Sequence, residues 1–224
     1  MSAKLIAIEG LDGSGKETQT RLLREALDAK GLNVTSISFP CYGQPSAALV
    51  EDYLHGGFGE HAEDVNAFAA SSFFAMDRLV SYLKYWRRDY ESVDVLIADR
   101  YTTSNAIHQC SKLPESEWGA FCDWLLNYEF TYLGLPRPDE VIYLRLDVET
   151  SQKLLARRYG GDVNKRDVHE RDLDYLHRSQ KAAEWCCDRL GWLAVECVDD
   201  GVLRDRLDVH EEIMAKLGSG LLHE

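Results

Sequence analysis

The sequence has no excess of positive charge: 25 Lys and Arg stand against 38 Asp and Glu, for a formal net charge of -13 over 224 residues. A sequence-independent grip on nucleic acid needs basic side chains spread along one face, so no polymeric nucleic-acid partner is expected. No apolar stretch approaches the ~20 residues that cross a bilayer, which argues against a membrane-spanning protein. The amino-terminal MSAKLIAIEG passes from one lysine into a strand-like run, without the h-region and cleavage site of a secretory signal. The expected location is the cytoplasm. The six cysteines, Cys41, Cys110, Cys122, Cys186, Cys187 and Cys197, form no CxxC pair and no spacing with histidine that suits zinc. They read as buried or half-buried thiols of a reduced compartment. Repeats, low-complexity tracts and linkers are also missing, so residues 1–224 are expected to form one domain, frayed over 218–224.

What is present is an alternation of short apolar runs with helical patterns. Leu5 to Glu9, Val34 to Phe39, Val93 to Ala98, Val141 to Leu146 and Leu193 to Val198 read as five strands. Helical spacing places Leu22, Leu23, Ala26 and Leu27 on one face, and Ala48, Leu49 and Tyr53 together on a short helix over 45–54. Phe68, Ala69, Phe73, Met76, Leu79, Val80, Leu83 and Trp86 predict one long helix over 65–90, and 118–130 reads as amphipathic helix. Strands that are apolar throughout and separated by helices imply an α/β fold, a parallel sheet covered on both faces. Ligands are then expected at the carboxyl ends of the strands.

Directly after the first strand stands Gly10-Leu11-Asp12-Gly13-Ser14-Gly15-Lys16, the GxxxxGK spacing of a phosphate-binding loop, with strand before it and helix after it. Backbone N–H groups freed by glycine turn inward around phosphate, the helix contributes its positive end, and Lys16 adds a mobile charge. The next residue in that motif is Ser or Thr, whose hydroxyl ligates Mg²⁺, yet here it is Glu17, followed by Thr18. Either Thr18 takes the hydroxyl role, or the Glu17 carboxylate serves as a hard oxygen ligand, or Glu17 is only a favourable acid in a helix's first turn. At the end of the third strand Asp99-Arg100-Tyr101 precedes Ser104, Asn105 and Gln109. Either Asp99 there holds Mg²⁺ through water and Arg100 bridges two phosphates, or the two form a buried structural pair.

Glu9 to Lys16, Phe39-Pro40-Cys41-Tyr42-Gly43, Phe74 with Arg78, and Asp99-Arg100-Tyr101 with Ser104 together resemble the thymidylate kinase family, over about residues 3–175. The resemblance implies a P-loop NTPase fold with a short lid, ATP and Mg²⁺, and transfer of the γ-phosphoryl group to dTMP. It implies catalytic roles for Lys16, Arg100 and Asp12, with Asp12 also near the sugar hydroxyl. By themselves Phe74 could be core and Arg78 a solvated surface charge; the resemblance implies that Phe74 stacks on thymine and Arg78 bonds its carbonyl edge, which suits two residues four apart on one helical face. It also implies that Asn105 faces the pyrimidine's remaining edge, that Tyr42 and Arg100 hold the acceptor phosphate, and that Phe39, Ser104 and His108 complete the acceptor side. His108 stands where some relatives place a tyrosine, and the arginine many carry near Cys41 is missing.

The basic cluster 157–166, Arg157-Arg158-Tyr159-Gly160-Gly161-Asp162-Val163-Asn164-Lys165-Arg166, falls where the family has its lid, expected over about 157–171. Arg158 is assigned to the nucleotide and Glu170 to the acceptor; Asp167 and Glu170 share a helix face. A homodimer through the long helices is implied by the same resemblance. Two rivals remain at this point: another P-loop kinase of a pyrimidine nucleotide or deoxynucleoside, and a nucleotide-dependent switch without turnover.

Overall fold

The chain is described here from a computed structural model over residues 2–158, 160 and 172–218. Strands β1 (Lys4–Gly10), β2 (Val34–Ser38), β3 (Val95–Asp99), β4 (Glu140–Arg145) and β5 (Leu193–Glu196) form one sheet in the order β2-β3-β1-β4-β5. Every pairing in it is parallel. Because side chains alternate along a strand, the apolar runs divide between two cores. Leu5, Ala7, Leu96, Ala98 and Tyr143 enter one; Ile6, Ile8, Ile97, Ile142 and Leu144 enter the other.

Helices cover both faces, as the pattern requires. On the second face lie α1 (Lys16–Ala29), through Leu23 and Leu27, and α9 (Arg206–Gly218), through Val209, Ile213 and Leu217. The first face is covered by α5 (Thr102–Cys110), α6 (Trp118–Leu126) and α8 (Leu173–Leu190), with Trp86 from the long helical arm. The remaining helices are α2 (Ala48–Leu54), α3 (Ala67–Ser81), α4 (Arg87–Tyr90) and α7 (Val148–Arg158). Among the described residues no helix is long and apolar enough to cross a membrane.

Three local expectations are corrected. The helix over 45–54 begins as a 3₁₀ turn at Pro45–Ala47, which rotates its buried face to Ala47, Val50, Tyr53 and Leu54 and leaves Ala48 and Leu49 exposed. The arm over 65–90 starts at Ala67, where the Asn66 side chain accepts from the Ala69 N–H, and is interrupted by a π-helical turn at Tyr82–Trp86. Its buried face is built of small and polar residues, Ala67, Ala70, Ser71, Ala75, Asp77, Arg78 and Ser81, whereas Phe68 and Leu83 of the apolar stripe stay exposed. The fifth strand ends at Glu196, and its last expected residue belongs to a hairpin of β6 (Val198–Asp199) and β7 (Val202–Leu203).

Candidate active site

The sheet order places β1 between β3 and β4, so the chain leaves β1 toward one edge and leaves β3 toward the other. The crevice beyond these two carboxyl ends is where an open α/β sheet binds its ligand. Ile8 and Asp99 are register neighbours there, and the Arg100 N–H donates to the Ile8 carbonyl at 3.0 Å. The loop after β1 and the dipeptide after β3 are thereby brought side by side.

The loop's glycines are required by geometry. A Cβ at Gly10, whose φ is +153°, would meet Ser14 Oγ at 2.6 Å and the Leu144 carbonyl at 2.8 Å. Gly15 opens α1 at φ +91°, a left-handed conformation that costs any residue with a Cβ. Lys16 is buried, and its ammonium donates to the Gly10 and Leu11 carbonyls at 3.0 Å each. Burial lowers its pKa, the Arg100 charge adds to that, and Asp12 opposes both. Two crowded cations beside a glycine loop at a helix N-terminus make a site that an anion relaxes.

Arg100 links the two halves of the site. It is a non-glycine residue at φ 68°, a strained conformation of the kind that concentrates at functional positions. Its Nη2 donates to Asp12 Oδ1 at 2.6 Å, its Nη1 donates to Ser104 Oγ at 3.2 Å, and His108 Nε2 lies 3.4 Å from Nη1. Burial alone would raise the Asp12 pKa, but Arg100 and Lys16 hold it well below the usual carboxylate range. Burial, reinforced by Arg100, holds His108 down at about 3, so its ring is neutral. Desolvation raises the Asp99 carboxyl above its ordinary value.

A single cleft of about 710 Å³ collects most of the expected residues. Asp12, Gly13, Gly15, Lys16, Glu17, Thr18 and Arg158 line it, as do Phe39, Tyr42, Phe74, Arg78, Ser104, Asn105 and His108, and Asp99 and Arg100. Phe74 is held edge-on against Tyr53, ring centroids 6.1 Å apart. Phe39 is mostly core, packed on Trp86 and Tyr101. Glu17 is 86% exposed and pairs with Arg158 at 3.7 Å. Gly10, Leu11 and Ser14 belong to the same loop but do not line the cleft. Glu170, Asp167, Lys165 and Arg166 lie outside the described residues.

Three acids that sequence reasoning gave no role organise this lining. Glu9, fully buried, accepts from the Tyr101 N–H, Thr103 Oγ1 and Ser104 Oγ, and so fixes the start of α5 behind Arg100. Asp77 accepts from the Cys41 N–H at 2.8 Å and ties down the segment carrying Phe39 and Tyr42. Glu129 receives Arg78 Nε and Nη2 at 2.7 and 2.6 Å, Thr102 Oγ1 at 2.8 Å and Asn105 Nδ2 at 3.2 Å. Arg78 and Asn105 are thus both braced from behind by one buried carboxylate. Gln109, named from sequence only as a neighbour, lines the cleft, and neither of its amide atoms has a hydrogen-bond partner among the described residues.

Comparison with known proteins agrees with this geometry. The profile of the thymidylate kinase family matches residues 8–196. A thymidylate kinase from Mycobacterium tuberculosis is 38% identical over 207 residues, covering 89% of this chain and 94% of that protein. A probable thymidylate kinase from Staphylothermus marinus is 31% identical, covering 82% and 81%. The solved structure of thymidylate kinase from Candida albicans superposes with a TM-score of 0.69 at 22% identity, covering all of this chain and 94% of that one, and so supports the fold. The chain belongs to the thymidylate kinase family, whose members use ATP to convert dTMP to dTDP.

Proposed function

We propose that the loop 10–16 cradles the phosphates of ATP and that dTMP lies at the other end of the cleft, its base against Phe74 and its phosphate toward Arg100. The observation that carries this reading is the Arg100–Asp12 pair, which joins the end of β3 to the phosphate loop within one cleft. Phosphoryl transfer needs little covalent help, so the protein's work is positioning and charge stabilisation. Lys16 exchanges its two carbonyl partners for phosphate oxygens as nucleotide enters. Arg100, fixed by Asp12 and Ser104, presents its charge to the acceptor phosphate and the migrating group. Arg158 closes over the nucleotide from the end of α7.

The base is read by Arg78 and Asn105, both held on Glu129. Gln109 offers them a third partner, since its buried amide has donors and acceptor to spare. His108, neutral and beside Arg100, packs near Tyr175 and fills space on the sugar side.

Magnesium suits the donor set at the phosphate end. Asp99, Thr18 and Glu17 supply the hard oxygens it prefers, and a cation beside Asp99 offsets the desolvation that raises that carboxyl. When bound, the ion neutralises phosphate charge. Of the two residues after Lys16, Thr18 is the better candidate, because Glu17 is largely exposed and already paired with Arg158. The activity serves dTTP synthesis in the cytoplasm, in keeping with six cysteines that are all free thiols. A homodimer is supported by the apolar stripe of α3 and the turn after it, where Leu83 is 60% exposed and Met76, Leu79 and Val80 are half-buried. Light scattering checks that, with Leu79→Asp expected to give the monomer.

Calorimetric titration tests the division of the cleft. Phe74→Ala should weaken dTMP binding and leave ATP binding unchanged, while Lys16→Ala should do the reverse. Equal losses of both ligands in both variants would contradict the arrangement.

A further inference from the structure

We propose that Cys110, Cys122 and Cys186 form a binding site for a trivalent thiophilic ion of the arsenite class. These residues come from three helices, the last position of α5, the middle of α6 and the later part of α8, and all three are buried. Their sulfurs lie within 4.8 Å of one another, with Cys110 Sγ and Cys122 Sγ 3.7 Å apart. With the zinc–thiolate bond of ~2.3 Å as a yardstick, an ion at the centre of three sulfurs needs them ~4.0 Å apart in a planar arrangement, and closer in a pyramid. The cluster is built to that scale. It lies outside the cleft, and no residue of the proposed mechanism belongs to it.

Charge selects the class of ion. The surroundings are apolar, with Ala106, Ile107, Phe121, Leu125, Ala182 and Ala183 in the same core. Net charge left in such a place is expensive. Three thiolates around a monovalent ion keep two negative charges, and around a divalent ion they keep one. Tetrahedral zinc would also need a fourth ligand, and among the described residues the cluster offers only its three sulfurs. A trivalent centre bound by three thiolates is neutral and complete. Arsenous acid also reaches the site as a neutral molecule. Each of its three As–O bonds is exchanged for an As–S bond, and each departing hydroxide takes the thiol's proton. One As(OH)₃ and three thiols therefore give one As(SR)₃ and three waters, with no change of oxidation state.

Ligation would staple α5, which carries Ser104, Asn105 and His108, to α6 and α8. The test uses the whole protein, reduced with a phosphine and incubated with sodium arsenite. Native mass spectrometry should show a single adduct of one arsenic less three hydrogens. Arsenic X-ray absorption should show three sulfurs and no oxygen, and the melting temperature should rise. Cys110→Ala, Cys122→Ala and Cys186→Ala should each abolish the adduct. Cys187→Ala should keep it, because that thiol faces the Trp192 carbonyl instead. The wild-type spectra decide the matter even where a variant fails to fold. No adduct, an arsenic bound by two sulfurs and an oxygen, an adduct that survives the three substitutions, or one lost with Cys187→Ala would overturn the proposal.

Discussion

Replacing Glu129 by Gln keeps the shape of the side chain and removes its charge beneath the base-recognition pair. In the native protein that carboxylate is fully buried and receives two hydrogen bonds from Arg78, one from Thr102 and one from Asn105. Burial by itself would lower the Arg78 pKa, and the charge and hydrogen bonds of Glu129, with smaller help from Tyr101 and Asp77, turn the shift upward. Without that charge the guanidinium is a cation sealed in the core with its counter-ion gone. Breaking one side of a buried ion pair costs ~3–5 kcal/mol. For a domain of this size each kcal/mol moves the melting temperature by ~2–4 °C, so Glu129→Gln should melt roughly 6–20 °C lower. A purely structural loss would stop there. Because Arg78 and Asn105 line the cleft, KM for dTMP should also rise at a temperature where the variant is folded, while KM for ATP stays near the native value. Scanning calorimetry and initial rates read the two effects separately. A melting temperature unchanged within error would refute the buried-pair reasoning, and equal changes in both KM values would refute the positioning role.

Other outcomes follow from the same site. Lys16→Ala and Arg100→Ala should each lower kcat by ~10²–10³ while the circular dichroism spectrum stays native, since each removes a cation facing migrating charge; near-native turnover would reassign that residue to structure. Thr18→Ala should raise the Mg²⁺ concentration needed for half-maximal rate more than Glu17→Gln does, and the opposite order would make the carboxylate the ligand. dUMP, lacking the methyl that fills space beside Phe74, should be a poorer acceptor than dTMP by ~1–3 kcal/mol in kcat/KM. His108 predicts an acid-sensitive stability. Its folded pKa of about 3 lies below the unfolded value of 6.5, so its contribution is complete above pH 6.5 and is lost progressively as pH falls toward 3. The slope attributable to it is at most ~1.4 kcal/mol per pH unit. Urea unfolding of His108→Gln between pH 7 and 5 should show a shallower decline than the native chain, and parallel declines would contradict the assignment.

The sheet was legible because its strands are apolar on both faces, a pattern that only burial between two helical layers explains. The phosphate loop was legible because its spacing is dictated by backbone geometry, as the clash that Gly10 avoids makes plain. The braces were not. Glu129 sits in a π-helical turn at Asn127–Tyr132, within a segment whose pattern marks an acid as solvent-facing. Its partners Arg78 and Asn105 are 51 and 24 positions away. Periodicity also misplaced the burial of α3, because the helix packs closely through Ala70, Ser71 and Ala75 and leaves Phe68 exposed. The three clustered cysteines carry no signal either. They fall 12 and 64 positions apart in sequence, and only the packing of α5, α6 and α8 brings them together.

Whether one cleft joins ATP to a thymine monophosphate is read from initial rates of ADP formation with ATP and Mg²⁺ against a panel of nucleoside monophosphates and thymidine. dTMP should give the highest kcat/KM, dUMP should follow, and ADP release without an acceptor should stay at background. A preference for AMP, GMP or unphosphorylated thymidine, or ADP release at the same rate with no acceptor present, would contradict that arrangement.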